Sequence, residues 1–373
     1  MKPNAERENE AGETLFPSMR ALATATMAVA AVYAYFLIFA QFGFLHALSA
    51  VLGEGHALLR PVMAMMGVAG IAGSVATAKL WREGRGRGWM AMGFVMAGTA
   101  AGLAWIARTP SVFFAAAGLT GLGTGIVTVG LAAMLRRETG GKRLGFCLGI
   151  GTGLAYALCN LPAVFMATPH VQAAWGIAAA CVGLVAVQGF EQRASVPPVR
   201  GPDYEPRGIT RWTLALFALV TFDSGAFFLI QHTPALKAVS WGGSPQLLVN
   251  ASAHLVAAVF AGLALDRRRV AGAILSATVL LLAGSGLIFY GRGPAGAALY
   301  AAGVSVYSTV LVFYPARTGR ATLAALVYAV AGWVGSALGV GTAEQFAWVP
   351  GGMWILIAVP ALLAFRRGER SII

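Results

Sequence analysis

Two residues in this 373-residue sequence, Asp223 and His254, have the type and placement to do chemistry. Of fourteen acidic residues, Asp223 alone falls in the middle of a long apolar run, and His254 is the only one of five histidines placed in the same way. A charged side chain at the centre of a bilayer costs at least ~2.5–3.5 kcal/mol on insertion scales, so one found there usually works or is paired. Asp223 lies 12 residues after Arg211, and His254 lies 12 residues before Asp266. At 1.5 Å per residue, both sit roughly 18 Å from the same end of adjacent antiparallel helices. An Asp223–His254 pair at one depth can take up and release a proton, because histidine titrates near neutrality and a carboxylate out of water is costly when charged. It can equally hold a charge on a substrate. The plainer alternative is a pair that only locks two helices together.

Weaker polar candidates surround the pair. Asn250 is one turn from His254 and shares its face. Gln231, next to His232, lies near the far end of the run that holds Asp223. Asn160 precedes Leu161-Pro162, where a kink frees backbone carbonyls. Gln41 lies in the first apolar run with Tyr33 and Tyr35 deeper, and Tyr307 stands beside Ser305, Ser308 and Thr309. Each can contact a substrate, yet polar residues between membrane helices also serve as packing glue.

The elements that must position these residues follow from composition. Hydrophobic residues make up 58% of the chain and charged residues 11%, with a mean hydropathy of +0.73. A soluble domain carries about 25% charged residues, so a water-facing surface cannot be built from this sequence. Apolar spans of ~20 residues recur, the length that crosses a ~30 Å hydrocarbon core. Transmembrane β-barrels show ~10-residue alternation instead, which these continuous runs lack. The expected fold is an all-α polytopic membrane protein.

Candidate helices cover roughly 20–45, 60–80, 88–107, 111–134, 144–167 and 171–190, then 212–233, 246–265, 270–290, 294–315, 321–342 and 350–366. The break at 191–211 holds Pro197, Pro198, Pro202 and Pro206 among mixed charges and reads as an exposed linker. This divides the chain into a tail (1–19), a six-helix bundle (20–190), the linker (191–211), a second six-helix bundle (212–366) and a tail (367–373). The acidic start, with Glu6, Glu8, Glu10 and Glu13, does not suit a signal peptide and reads as a tail before an uncleaved helix. Lys and Arg favour cytoplasmic loops. With the N-terminus inside, 23 of the 27 basic residues fall on the cytoplasmic side, leaving Arg60, Arg108, Lys237 and Arg292 outside. That alternation supports twelve spans with both termini cytoplasmic, and it accounts for the net charge of +13 without nucleic acid.

The two halves echo each other. Gly262, Asp266, Arg267 and Arg269 form a tight basic turn after span 8, and Gly73, Gly86 and Arg87 occupy the matching place after span 2. Basic turns also follow spans 4 and 10, which suggests internal duplication. Six plus six spans with this turn resemble the major facilitator superfamily of secondary transporters. The family turn has an aspartate four residues after its first glycine. Asp266 matches it, whereas Thr77 stands at that position in the first half. The resemblance implies two pseudo-symmetric six-helix bundles that rock about a central site, with spans 1, 2, 4, 5, 7, 8, 10 and 11 lining the cavity. It also implies that the residues of these turns govern the conformational change.

Other signals read as structural. Gly121, Gly123 and Gly125, and Gly149, Gly151 and Gly153, resemble pieces of nucleotide-binding loops but lie inside apolar spans with no preceding strand, so helix packing explains them better. Gly140-Gly141-Lys142-Arg143 lacks the hydroxyl residue and spacing of a P-loop, and transport driven by a gradient is the expectation. Asn250-Ala251-Ser252 lies within a span, where glycosylation cannot reach it. Cys147, Cys159 and Cys181 are too few and scattered for a disulfide framework or zinc site. Met63, Met65 and Met66, with Met90, Met92 and Met96, leave copper movement as an alternative, although methionine is more often apolar filler.

The expected function is therefore a proton-coupled secondary transporter of a small solute, monomeric, without cofactor, in a bacterial inner membrane. A metal-ion transporter and a non-transporting sensor or assembly protein are the alternatives. A membrane-embedded enzyme is disfavoured, because no nucleophile–base motif or metal spacing is present. With no mid-span arginine or lysine, anionic substrates are weakly disfavoured.

Overall fold

The computed structural model describes residues 17–53, 55–191, 201–346, 356–360 and 362–363, and all the regular structure among them is helical. Ten of the described helices are long and apolar enough to cross a membrane, and Leu144–Cys159 is a shorter apolar one. They are named here in chain order: α1 (Met19–Leu52), α2 (Leu59–Leu80), α3 (Gly86–Ile106), α4 (Pro110–Thr139), α5 (Leu144–Cys159), α6 (Pro169–Gln188), α7 (Pro206–His232), α8 (Ser244–Asp266), α9 (Val270–Phe289), α10 (Gly293–Ala316) and α11 (Ala321–Phe346). Of the expected twelfth span, 350–366, only 356–360 and 362–363 are described, and these are helical. Residues 1–16 of the expected 1–19 tail, the expected tail 367–373, and 192–200 of the linker lie outside the described residues, and Met19 already belongs to α1.

Local sequence sets the helix ends. Ser18 caps α1, its hydroxyl accepting from the Ala21 amide at 3.0 Å. Proline occupies the first or second position of α4, α6, α7, α8 and α10, where its missing N–H costs nothing. Pro206 explains why α7 begins six residues before the expected 212. The linker is correspondingly shorter, and Asp203 and Tyr204, in its described part, are half-buried. Trp212 Nε1 donates to Asp203 at 3.1 Å, and Tyr204 stacks on Tyr314 with centroids 5.6 Å apart. The expected single span 144–167 is broken: α5 stops at Cys159, and Pro162–Phe165 forms a separate turn. Two π-helical segments interrupt long helices, Tyr35–Gly43 in α1 and Tyr328–Val334 in α11.

Small residues let these helices approach. A Cβ on Gly121 would lie 2.1 Å from Met66 O, and one on Gly125 2.4 Å from Gly70 O, so α4 lies directly on α2. Gly145, Gly149 and Gly153 recur every four residues along α5 and meet Gly262, Ala258 and Leu255 of α8. The order of those pairs makes α5 and α8 antiparallel, and they join the first half of the chain to the second. The end of the molecule bearing Leu80, Thr139, Asp266 and Arg317 is called the basic face below, and the opposite end the far face.

Candidate functional site

The polar residues of the interior gather on α10. Tyr300 and Tyr307 are two turns apart on one face, and both donate their hydroxyls to the Asp223 carboxylate of α7, Tyr300 to Oδ1 and Tyr307 to Oδ2. Tyr300 also donates to the Asp223 backbone oxygen at 3.0 Å. On the next face of α10, Ser305 Oγ lies 2.8 Å from His254 Nδ1 of α8. The His254 ring stacks on Tyr156 of α5, with centroids 4.6 Å apart and planes 18° from parallel. Tyr156 reaches back to Ser308 Oγ at 2.8 Å, and Tyr33 of α1 donates to the Ser308 backbone oxygen at 2.7 Å. Helices α1, α5, α7, α8 and α10 thus share one network, and Ser308 is touched twice from the first half.

Asp223 and His254 do not pair. Asp223 bonds between residues 300 and 307 of α10, and His254 bonds at residue 305. With α10 as a ruler, their depths differ by about 2 Å, yet each faces a different side of that helix. Both carboxylate oxygens of half-buried Asp223 are filled by phenols, and among the described residues no lysine, arginine or histidine lies within ion-pair distance of it. A carboxylate held out of water by neutral donors alone is costly when charged. A proton or a cationic solute relieves that cost.

The other candidates take different places. Asn160 accepts from Trp241 Nε1 at 3.1 Å and donates to Tyr156 O at 2.9 Å, so it ties the first half to the second toward the far face. Phe42 and Phe227 reinforce that contact with centroids 5.7 Å apart, and Arg60 pairs with Glu344 at 2.9 Å. Asn250 is fully buried and holds the helical turn Pro234–Ser240 by donating to Ser240 O at 2.9 Å, while Gln246 donates to its oxygen. Its hydrogen bonds lie outside the central network. Gln231 has a buried Nε2 without a partner. Gln41 is half-buried and makes no side-chain hydrogen bond among the described residues. Met66 and Met90 are buried while Met65 and Met92 face outward, so these methionines do not converge.

At the basic face, Asp266 accepts from the Gly145 and Phe146 amides at 2.7 and 2.9 Å. A carboxylate at the start of α5 satisfies two otherwise orphaned donors and faces the positive end of the helix dipole. Gly262 permits this contact, because a Cβ there would lie 2.2 Å from Gly145 O. The arginines of the turn do not share in it: Arg267 donates to Leu263 O of its own helix, and Arg269 is exposed. In the first half, Gly73 packs on Leu122, Thr77 donates to Gly73 O, and Arg87 donates to Gln188 O of α6. These bonds stay within one half. Among the described residues the Asp266 turn bonds across the halves, whereas the first-half turn, where Thr77 departs from the family aspartate as expected, lacks the charge to cap a partner helix.

Tyr300, Tyr156 and Trp241 were not expected at the site. Tyr300 could have been found from its seven-residue spacing to Tyr307, and Tyr156 from lying one turn before Asn160. Nothing in the sequence points to Trp241.

No family model matches the chain, and no curated protein matches its sequence. Solved structures do match. The human organic anion transporter MFSD10 (TETRAN) superposes with a TM-score of 0.65 at 16% identity, covering 93% of this chain and 98% of that one. The E. coli fucose:proton symporter FucP gives 0.52 at 13% identity, covering 93% and 96%. FucP in an outward conformation gives 0.59 at 13% identity, covering 92% and 95%. With nearly the whole chain aligned to three such structures, the fold is that of the major facilitator superfamily transporters.

Proposed function

We propose that this protein is a secondary transporter that moves a small solute by alternating access and couples the movement to protons at Asp223. The observation that carries the reading is the Asp223 carboxylate, held at mid-depth by Tyr300 and Tyr307 with no cation opposite it among the described residues. A site of this kind accepts a proton when open to one side and releases it when open to the other. Contacts that must break for each opening stand at both ends, Asp266 with the α5 amides at the basic face and Asn160 with Trp241 at the far face. Similarity to a fucose:proton symporter supports proton coupling, and the transporter fold supports a carrier over an enzyme.

Around this core the molecule comprises a first bundle (20–190) and a second bundle (212–366) in an inner membrane. The basic face and both termini are cytoplasmic, and the carrier works as a monomer. His254 is held by Ser305 and Tyr156 and orients the substrate side of the network rather than sharing Asp223's proton.

Transport into liposomes under an imposed pH gradient tests the reading, with a panel of sugars, organic anions and organic cations as solutes. The expected result is pH-driven uptake of at least one class, lost in Asp223→Asn while solute exchange at equal pH persists. Unchanged pH-driven uptake by a well-folded Asp223→Asn protein would rule out Asp223 as the coupling site.

A further inference from the structure

A cavity of about 270 Å³ opens at the basic face between the two halves. This lies near the lower end of the ~300–1,000 Å³ range of small-molecule sites. Its walls carry Arg136 and Lys142 from the first half and Arg268 and Arg317 from the second, against one carboxylate, Asp266. That carboxylate is occupied by the Gly145 and Phe146 amides. Arg136 Nη1 is buried there without any hydrogen-bond partner. A buried donor on a cation with no acceptor is among the costliest groups to leave unsatisfied. Arg317 is directed by Phe313, its guanidinium carbon lying 5.9 Å from the ring centroid. Burial pushes the neighbouring phenol of Tyr204 up, Arg317 pulls it back, Asp203 raises it, and Arg136 lowers it again.

Basic residues at helix C-termini have an ordinary explanation, since they complement the dipole of the last turn. That explanation covers solvated arginines. It does not cover an open cavity lined by four cations drawn from both halves, or a buried guanidinium nitrogen with no acceptor. From the cavity, its charge and the unsatisfied Arg136 nitrogen, we infer that this is a binding site for a phosphate-bearing anion, either free in solution or carried on a lipid headgroup. The planar guanidinium groups of Arg136 and Arg317 approach from opposite halves and suit the oxygens of a phosphate. An anion held between them draws the halves together and favours the state that is closed at the basic face. The site is separate from Asp223, and its existence does not depend on which solute the carrier moves.

Thermal unfolding of the full-length purified protein tests this with two probes. Inorganic phosphate is titrated in neutral detergent against chloride at matched ionic strength. Bilayer discs of phosphatidylglycerol are compared with discs of phosphatidylcholine. Stabilisation by phosphate in detergent assigns the soluble source, and stabilisation by phosphatidylglycerol alone assigns the lipid source. In either case Arg136→Gln and Arg317→Gln each lower the apparent affinity tenfold or more, while Arg85→Gln, an exposed basic-face arginine outside the cavity, leaves it unchanged. Should Arg136→Gln fail to fold, Arg317→Gln and Lys142→Gln carry the same test. Absence of stabilisation by both probes, or an equal loss in Arg85→Gln, overturns the inference.

Discussion

Replacing Asp266 by asparagine tests how the basic face is held shut. In the structure its carboxylate accepts two amide hydrogens, at 2.7 and 2.9 Å, from the first residues of α5. Hydrogen bonds to charged groups contribute about 1.5–3 kcal/mol, against about 0.5–1.5 for neutral ones. Asparagine keeps one acceptor oxygen, turns an NH₂ toward the second amide and loses the charge that faces the α5 dipole. Asp266 is half-buried, so solvent screening places the net loss near the lower end, about 1.5 kcal/mol. That is roughly a tenfold shift away from the state closed at this face.

Spin labels at Arg143→Cys and Arg267→Cys, both exposed and on opposite sides of the contact, report the shift as a new population of longer distances. The exposed native thiol is first removed by Cys181→Ser, leaving the buried Cys147 and Cys159 in place. An unchanged distance distribution in folded Asp266→Asn, with unchanged thermal stability, refutes the argument that this contact holds the face closed.

Further substitutions separate tight from loose contacts. Gly149→Ala places a Cβ 2.4 Å from Ala258 O and lowers stability by about 1–3 kcal/mol through overpacking. Gly118→Ala meets nothing within 4 Å and leaves the melting temperature unchanged or raised. Trp241→Phe removes the donor to Asn160 and costs about 1–3 kcal/mol, read as a lower melting temperature and greater labelling of the buried Cys159 beside Asn160. Arg60→Gln breaks an ion pair whose side chains are 79% and 39% exposed. It changes stability by less than ~1 kcal/mol, and less still at high salt.

The sequence made the spans legible because continuous apolar runs can be satisfied in a bilayer only by helices. It also placed Asp223 and His254 at one depth, since rise per residue is fixed. Their partners were not legible, because partner choice depends on how each helix is rotated about its axis. That rotation is set by small-residue contacts such as Gly145 on Gly262 and Gly303 on Leu281, which leave no periodic signal of their own. The glycines of α4 and α5 were recognisable as packing residues, but the helix each meets was not. Boundaries moved where proline acted as a starter, at Pro206, and as a breaker, at Pro162.

Helix α10 carries the tyrosines that hold Asp223, the serine that holds His254 and, at Ser308, two contacts from the first half. Tyr307 and Ser308 are consecutive residues. The backbone that positions the Tyr307 hydroxyl therefore adjoins the carbonyl on which Tyr33 rests. Two adjacent residues of α10 thus anchor the Asp223 carboxylate and join the two halves, so a rigid-body shift of that helix alters both contacts at once.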